Sequence, residues 1–371
     1  MSKTKHQHFI PRSYLKNFAQ NDNDKLFVEA KLKAELTPKK DLISIKDICV
    51  NKNIYTLPLK EGDNKYALEE YYAKEIDEVY PEVYGWLTNP EMVKIDPEQR
   101  GKIIMTTMSL FFRTPKFLNA GQRTNNIVLD YAVRNCQDKN GNVKLKFKEY
   151  DLNFHITQLE EVRDQLKIDN KIKFLQGHLA DWHEFRKFKL FAAICVYKIY
   201  DNIDLITSDN PVFMHSVKGN PFQLFDPTNI ISLPLDNKHY LTIFPNTEES
   251  MIDTIHRGDR DKWFALTTNL QIEKSAEDWI LGKPGTVTAH LADQIKHNEL
   301  TPENIKAVEM IKKRANDQME LVSLMEKNGP YHQIVVDKLN ELLKDEVHRS
   351  DPEILKTGHQ LAKYGCKVNL P

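Results

Sequence analysis

His6-Gln7-His8-Phe9-Ile10-Pro11-Arg12-Ser13-Tyr14-Leu15-Lys16-Asn17-Phe18 sets polar groups able to do chemistry among residues that fix the backbone. Tyr14, Leu15 and Phe18 share one helical face, and Pro11 suits the first turn of that helix. The stretch reads as a loop carrying His8 that runs into a short helix. His6 and His8 alternate around Gln7, so in a strand both imidazoles would face one side and could share a metal. The competing reading is one exposed and one hydrogen-bonded structural histidine. It is the better reading for His6. For His8 the two stand level, because Pro11 fixes the local path.

A second stretch, Leu205-Ile206-Thr207-Ser208-Asp209-Asn210-Pro211-Val212, ends a predicted strand, where proteins often present side chains to ligands. Asp209 could bind a metal or orient a nucleophile. Ser-Asp-Asn-Pro is also good turn chemistry, with the aspartate accepting backbone N–H bonds, and on the residues alone that reading is preferred. Arg113-Thr114-Pro115 closes an apolar helix carrying Ile103, Ile104, Met108, Leu110 and Phe111. An arginine there either caps carbonyls or reaches an anion. Glu69, Glu70 and Glu75 lie on the preceding helix, and periodicity does not say which faces Arg113 or His8. Arg186-Lys187-Phe188-Lys189 reads as a solvated strand edge before it reads as a nucleic-acid contact.

Around these motifs, residues 26–32 and 54–57 read as strands, with turn chemistry at Asn51 to Asn53. Residues 66–135 read as a helical insertion, with Pro81 kinking or splitting its first helix and Asp96-Pro97 starting another. The 136–153 stretch is polar, with a turn at Asn140-Gly141, and a helix is expected over 155–167. Residues 188–200 and 203–207 read as a hairpin turning at Asp201-Asn202, and 230–235 with 240–244 as a second. Helices are expected near 248–257 and 268–281. The fold class is α+β: a central antiparallel or mixed sheet in a 1–285 core, with a C-terminal helical extension over 300–371. In that extension Ile305, Val308, Ile311, Met319, Val322 and Met325 form one apolar stripe, and Val335, Val336, Leu339, Leu342 and Leu343 another. Such stripes need cover, from the chain itself or from a second copy in a homodimer.

With 371 residues, 40% of them hydrophobic, the chain can bury a core. Its 52 basic and 53 acidic residues argue against a polybasic binder, though not against a local basic groove. Cys49, Cys136, Cys195 and Cys366 form no C-x-x-C pair, which points to reduced thiols and away from a thiolate zinc site. The first eight residues are polar, and the longest apolar run, 190–197, is too short to span a bilayer. The expectation is a soluble cytoplasmic protein with no membrane partner.

His8-Phe9-Ile10-Pro11 is similar to the His-x-x-Pro entry of HNH nucleases, but Gln7 stands where an acid normally precedes the histidine, and no Asn/His helix follows at short spacing. The fuller resemblance is to domain-of-unknown-function family 4238, over roughly residues 5–285. It rests on His8-x-x-Pro11 followed by Tyr14-Leu15-x-x-Phe18, with Ile54-Tyr55, Leu68-Glu69-Glu70, Arg113-Thr114-Pro115 and Thr207-Ser208-Asp209-Asn210-Pro211 in matching order. Leu233-Pro234-Leu235 and Asn269 are similar too. The resemblance implies a bacterial-type soluble domain and, since both motifs define one family, that they meet in space. From this follows the expected site: His8 and Asp209 catalytic, with Arg12, Arg113 and Asn210 binding substrate. The expected function is phosphodiester hydrolysis by a nuclease or a toxin-like defence effector, on a nucleic acid or nucleotide, with a divalent metal ion as candidate cofactor. The alternative is a non-enzymatic binding module whose motifs lock loops around the core.

Overall fold

A computed structural model describes residues 6–35, 41–57, 64–148, 150–215, 228–246, 253–298, 302–345, 348–349 and 351–370. In chain order the elements are β1 (His6–His8), α1 (Arg12–Leu15), β2 (Gln20–Asp22), β3 (Lys25–Leu32), β4 (Leu42–Ser44) and β5 (Val50–Lys52). Then come α2 (Ala67–Tyr72), a π-helical turn (Ala73–Asp77), α3 (Tyr80–Thr88), α4 (Pro97–Phe112) and α5 (Pro115–Cys136). Next are β6 (Asn142–Phe147), β7 (Tyr150–His155), α6 (Leu159–Lys189), β8 (Ala192–Ile199), β9 (Thr207–Ser208), β10 (Phe213–His215), β11 (Ile230–Pro234) and β12 (His239–Asn246). The chain continues with β13 (Ile255–Arg260), α7 (Lys262–Ser275), β14 (Trp279–Gly282), α8 (Thr286–Asn298), α9 (Pro302–Asn328), α10 (Gln333–Leu342) and α11 (Pro352–Lys363).

The fold is α+β, with two five-stranded sheets. One runs β10-β11-β12-β8-β13 and is mixed, because β13 lies parallel to β8. The other runs β2-β3-β14-β9, with β4 also on β3, and is antiparallel throughout. Two small ribbons, β1 with β5 and β6 with β7, complete the pairing. One apolar core joins Tyr14, Leu15 and Phe18 to Tyr72 and Tyr80, to Ile103, Met108 and Phe112 of α4, to Trp182 and Phe185 of α6, and to Ile194, Leu233 and Leu281 of the sheets. The chain divides into two compact units, 1–291 and 292–371. Within the second, Leu321 packs with Val335, Val336, Leu339, Leu342 and Leu343.

Local sequence rules account for the helix starts. Asp96 caps α4, accepting from the Gln99 backbone while Gln99 reaches back to the Asp96 N–H. Thr114 caps α5 across Pro115. Pro81 splits the 66–87 helix, standing in the first turn of α3. Gly329, at φ 88°, closes α9.

Several expectations are corrected. Pro11 is the N-cap residue of α1 and not part of its first turn. The 54–57 strand is absent: β5 comes earlier, paired with β1, and Asn53 at φ 55° then turns the chain. The polar 136–153 stretch holds the β6–β7 hairpin. The expected 155–167 helix runs on to Lys189 and absorbs the basic 186–189 run. The expected 188–207 hairpin does not form: β8 lies between β12 and β13, while β9 joins β14 in the other sheet. Of the expected 248–257 helix, 248–252 lie outside the described residues and the rest leads into β13. The expected 268–281 helix begins earlier, at Lys262, and ends before β14. In the extension, Met319 and Val322 are 70% and 52% exposed, so that stripe is not covered there. The side chains of Ile305, Val308 and Ile311 lie outside the described residues.

The two motifs meet in the core through Tyr14. Its hydroxyl donates to the Pro234 carbonyl at 2.9 Å and lies 2.7 Å from Thr207 Oγ1, which must therefore donate to it. One phenol thus ties α1 to the last residues of β11 and to β9. Tyr14→Phe should cost about 1–3 kcal/mol by stranding one buried acceptor, the Pro234 carbonyl, and one buried donor, the Thr207 hydroxyl. Calorimetry should show a lower midpoint with unchanged far-UV dichroism.

Candidate functional site

Strand β1 builds the site. Its antiparallel pairing with β5 sets His6 opposite Lys52 and His8 opposite Val50. Alternation sends Gln7 the other way, and Gln7 is 2% exposed. Its Oε1 accepts from the Tyr55 N–H at 2.8 Å, and its Nε2 donates to Glu69 at 2.8 Å. An acid at position 7 would meet Glu69 as a like charge; the amide bonds it. These residues border a cleft of about 380 Å³, whose walls include His6, His8, Arg12 and Ser13 on one side and Tyr72, Asp77, Glu78 and Arg113 on the other.

His8 is partly buried, with Nε2 3.1 Å from the Ile45 carbonyl. A carbonyl only accepts, so Nε2 carries the proton and Nδ1 keeps its lone pair. Burial pushes the His8 pKa down, and Arg12 and Arg113 push it the same way against the Ile45 bond and Asp77. The ring is therefore neutral at pH 7, with one nitrogen ready to take a proton.

Arg113 is buried, and its guanidinium is largely committed. Nη1 donates to Asp77 at 2.8 Å, Nη2 donates to the His8 carbonyl at 2.6 Å, and the group lies over the Tyr72 ring at 4.6 Å. The Tyr55 hydroxyl closes the arrangement by donating to the Arg113 carbonyl. Burial opposes the Arg113 charge, but Asp77 and the two phenols outweigh it and raise its pKa. The expected phosphate contact at Arg113 is corrected to a brace that holds β1 against α4 and the π turn, with only Nε left without a partner.

Asp77 and Glu69 reach the same cleft because of that π turn. Glu78 N–H bonds the carbonyl of Ala73, five residues back. The turn takes up one extra residue, so positions eight apart share a face as positions seven apart do in a regular helix. Of the acids that periodicity left open, Glu69 lines the cleft, Glu70 bonds Asn64, and Glu75 stands elsewhere near Lys74.

Asp209 and Asn210 do not line this cleft, and the expected meeting of Asp209 with His8 is not found. Asp209 is 3% exposed and accepts three backbone N–H groups: Glu277 at 2.9 Å, Asp278 at 2.7 Å and Trp279 at 3.1 Å. Burial raises its pKa and those bonds pull against it. Asn210 donates to Ser275 O at 3.0 Å, and its carbonyl accepts from Ser275 Oγ at 3.1 Å. Both side chains fix the turn that delivers β14 between β3 and β9. Among the described residues, no group of three or more His, Cys, Asp or Glu is placed to hold a metal ion, and no helix is long and apolar enough to cross a membrane.

The family model for proteins of unknown function, DUF4238, matches residues 6–286. The chain belongs to the DUF4238 family. No curated protein and no solved structure matches it. In this DUF4238 chain the match ends close to the boundary of the first compact unit at residue 291.

Sequence reasoning missed Asp77, Tyr55, Tyr72 and His178 as parts of the site. His178 stands behind the wall: its Nδ1 donates to Phe174 O at 2.7 Å, so its Nε2 accepts from the Tyr72 hydroxyl. Its ring stacks on Phe174 with centroids 4.4 Å apart. No local signal marks a contact between residues 106 apart in sequence.

Asp209→Ala should cost about 3 kcal/mol, by leaving three partly buried N–H groups without their acceptor, whereas His8→Ala should leave the midpoint almost unchanged. Denaturant melts of the two variants check this, and equal losses would mark His8 as structural. The second expectation concerns pH. Burial lowers the His178 pKa from 6.5 to about 4, so the folded state holds fewer protons than the unfolded chain between those values. Stability from His178 is full above pH 6.5 and is lost as pH falls toward 4. His178→Gln should flatten the melting midpoint across that window relative to the parent chain.

Proposed function

We propose that the His8 cleft is a hydrolytic site for a small phosphodiester, a nucleotide in the first place, with His8 as general base. The observation that carries this is the neutral imidazole, its tautomer set by Ile45 O, in a cleft shared with Arg12. Arg12 is exposed and makes no ion pair among the described residues, so it is the cation available to a phosphate. Arg113 and Asp77 neutralise one another and position the wall. Glu69 and Glu78 border the same space and would repel a long polyanion, which favours a nucleotide over a nucleic acid. A nuclease or toxin-like defence effector acting in the cytoplasm is the wider form of the same proposal. A divalent ion brought in by the substrate's phosphate would be compatible with Glu69 and Glu78.

The second reading is a non-enzymatic binding module. It is favoured by the number of motif residues spent on the framework: Gln7, Tyr14, Thr207, Asp209 and Asn210 all have structural partners.

Hydrolysis of bis(p-nitrophenyl) phosphate and of cyclic and linear dinucleotides distinguishes the two. His8→Ala should lower kcat by about 10²–10⁴-fold at nearly unchanged stability, and Arg12→Ala should mainly raise KM. Because His8 must be neutral to act, and its pKa is lowered, the acidic limb of the rate profile should fall below pH 6.5. Nucleotide binding without turnover, unaffected by His8→Ala, would sink the hydrolase and leave the binding module.

A further inference from the structure

Tyr71 and Tyr72 are neighbours in α2 that serve different spaces. Tyr72 backs the His8 cleft. Tyr71 borders a second groove of about 240 Å³ between α2, α4 and α6, lined also by Glu75, Glu98, Lys102, His183 and Arg186. Arg186 of α6 crosses α4 at Gly101. A Cβ built on Gly101 of α4 would come 3.4 Å from Arg186 Nη2, so the guanidinium lies directly over the α4 backbone.

The charges in the groove are unevenly matched. Glu98 meets Lys102 at 2.8 Å, and Glu75 meets Lys74 at 3.4 Å, so each carboxylate has a lysine of its own. Arg186 is half-buried and makes no ion pair or hydrogen bond among the described residues. Beside it, His183 Nε2 lies 3.2 Å from the Tyr71 hydroxyl, which leaves Nδ1 available. A partly desolvated guanidinium with open donors is matched best by an anion able to accept a forked pair of bonds.

We propose that this groove is an anion site for a phosphate group, held by Arg186 with His183 and the Tyr71 hydroxyl at its side. Its volume falls below the roughly 300–1,000 Å³ of sites that enclose drug-sized ligands, so the occupant is a single phosphate or a small phosphorylated compound, and not a whole nucleotide. The site is separate from the His8 cleft and does not rest on the hydrolytic reading.

The test is the thermal midpoint of the full chain against inorganic phosphate in a non-phosphate buffer, with ³¹P line broadening as a second readout. The parent chain should bind phosphate saturably. Arg186→Gln should weaken the binding event assigned to this groove at least tenfold and His183→Gln several-fold, whereas Arg12→Ala should remove only any separate phosphate event at the His8 cleft. If Arg186→Gln does not fold, the exposed His183→Gln carries the comparison. Absence of saturable binding to the parent chain overturns the proposal. So does loss of binding in Arg12→Ala with Arg186→Gln unaffected, which would assign the phosphate to the first cleft.

Discussion

The buried hydroxyl of Tyr14 is the interaction on which the arrangement depends. It joins three separate segments through two hydrogen bonds, to Thr207 and to Pro234, in a place with no solvent to substitute for either. A buried phenol without partners is costly, so the bond fixes both where α1 can sit and where β9 can end. Asn17, one turn along, adds a longer bond to the Leu235 carbonyl at 3.4 Å. The N-terminal motif is thereby anchored to both sheets, and His8 is presented on a rigid ribbon and not on a free arm.

The second layer of organisation is electrostatic. Arg113 is buried at the end of an apolar helix, where an unpaired charge would be intolerable. It is satisfied by Asp77, by the backbone of His8 and by aromatic faces. The π turn makes the pairing possible by bringing Asp77 round to the face that Glu69 already occupies. Tyr71 and Tyr72, adjacent in α2, border different spaces because successive helical residues point about 100° apart, so one irregular helix borders two polar spaces of different character. The first is crowded with carboxylates facing arginines; the second holds an arginine whose neighbouring acids are already matched.

Much of the frame was legible in the chain because it obeys short-range rules. The Asp96 capping box, the Pro81 split, the Gly329 stop and the hairpin around Asp236 each depend on residues a few positions apart. The preference for reading Ser208-Asp209-Asn210-Pro211 as turn chemistry also came from local residue types, and the three N–H bonds to Asp209 agree with it. The errors cluster where pairing is non-local. Residues 203–207 looked like the return strand of a hairpin with β8, yet only Thr207 of them enters a strand, β9, whose partner is β14, about seventy residues on. Residues 255–257, at the end of an expected helix, instead open β13, an edge strand parallel to β8.

For the site, the sequence by itself determined the cast: His8 and Arg12 on a short rigid motif, an arginine closing α4, and an aspartate in a turn after a strand. It also placed both motifs in one family, and they do meet. Only the tertiary structure decided which atoms meet, because each contact spans a long stretch of chain and leaves no periodic trace. The junction is Tyr14 with Thr207, 193 residues apart, and not His8 with Asp209. Arg113 became a brace because Asp77 and the His8 carbonyl reach its guanidinium, whereas Arg12 is exposed and meets no ion-pair partner among the described residues.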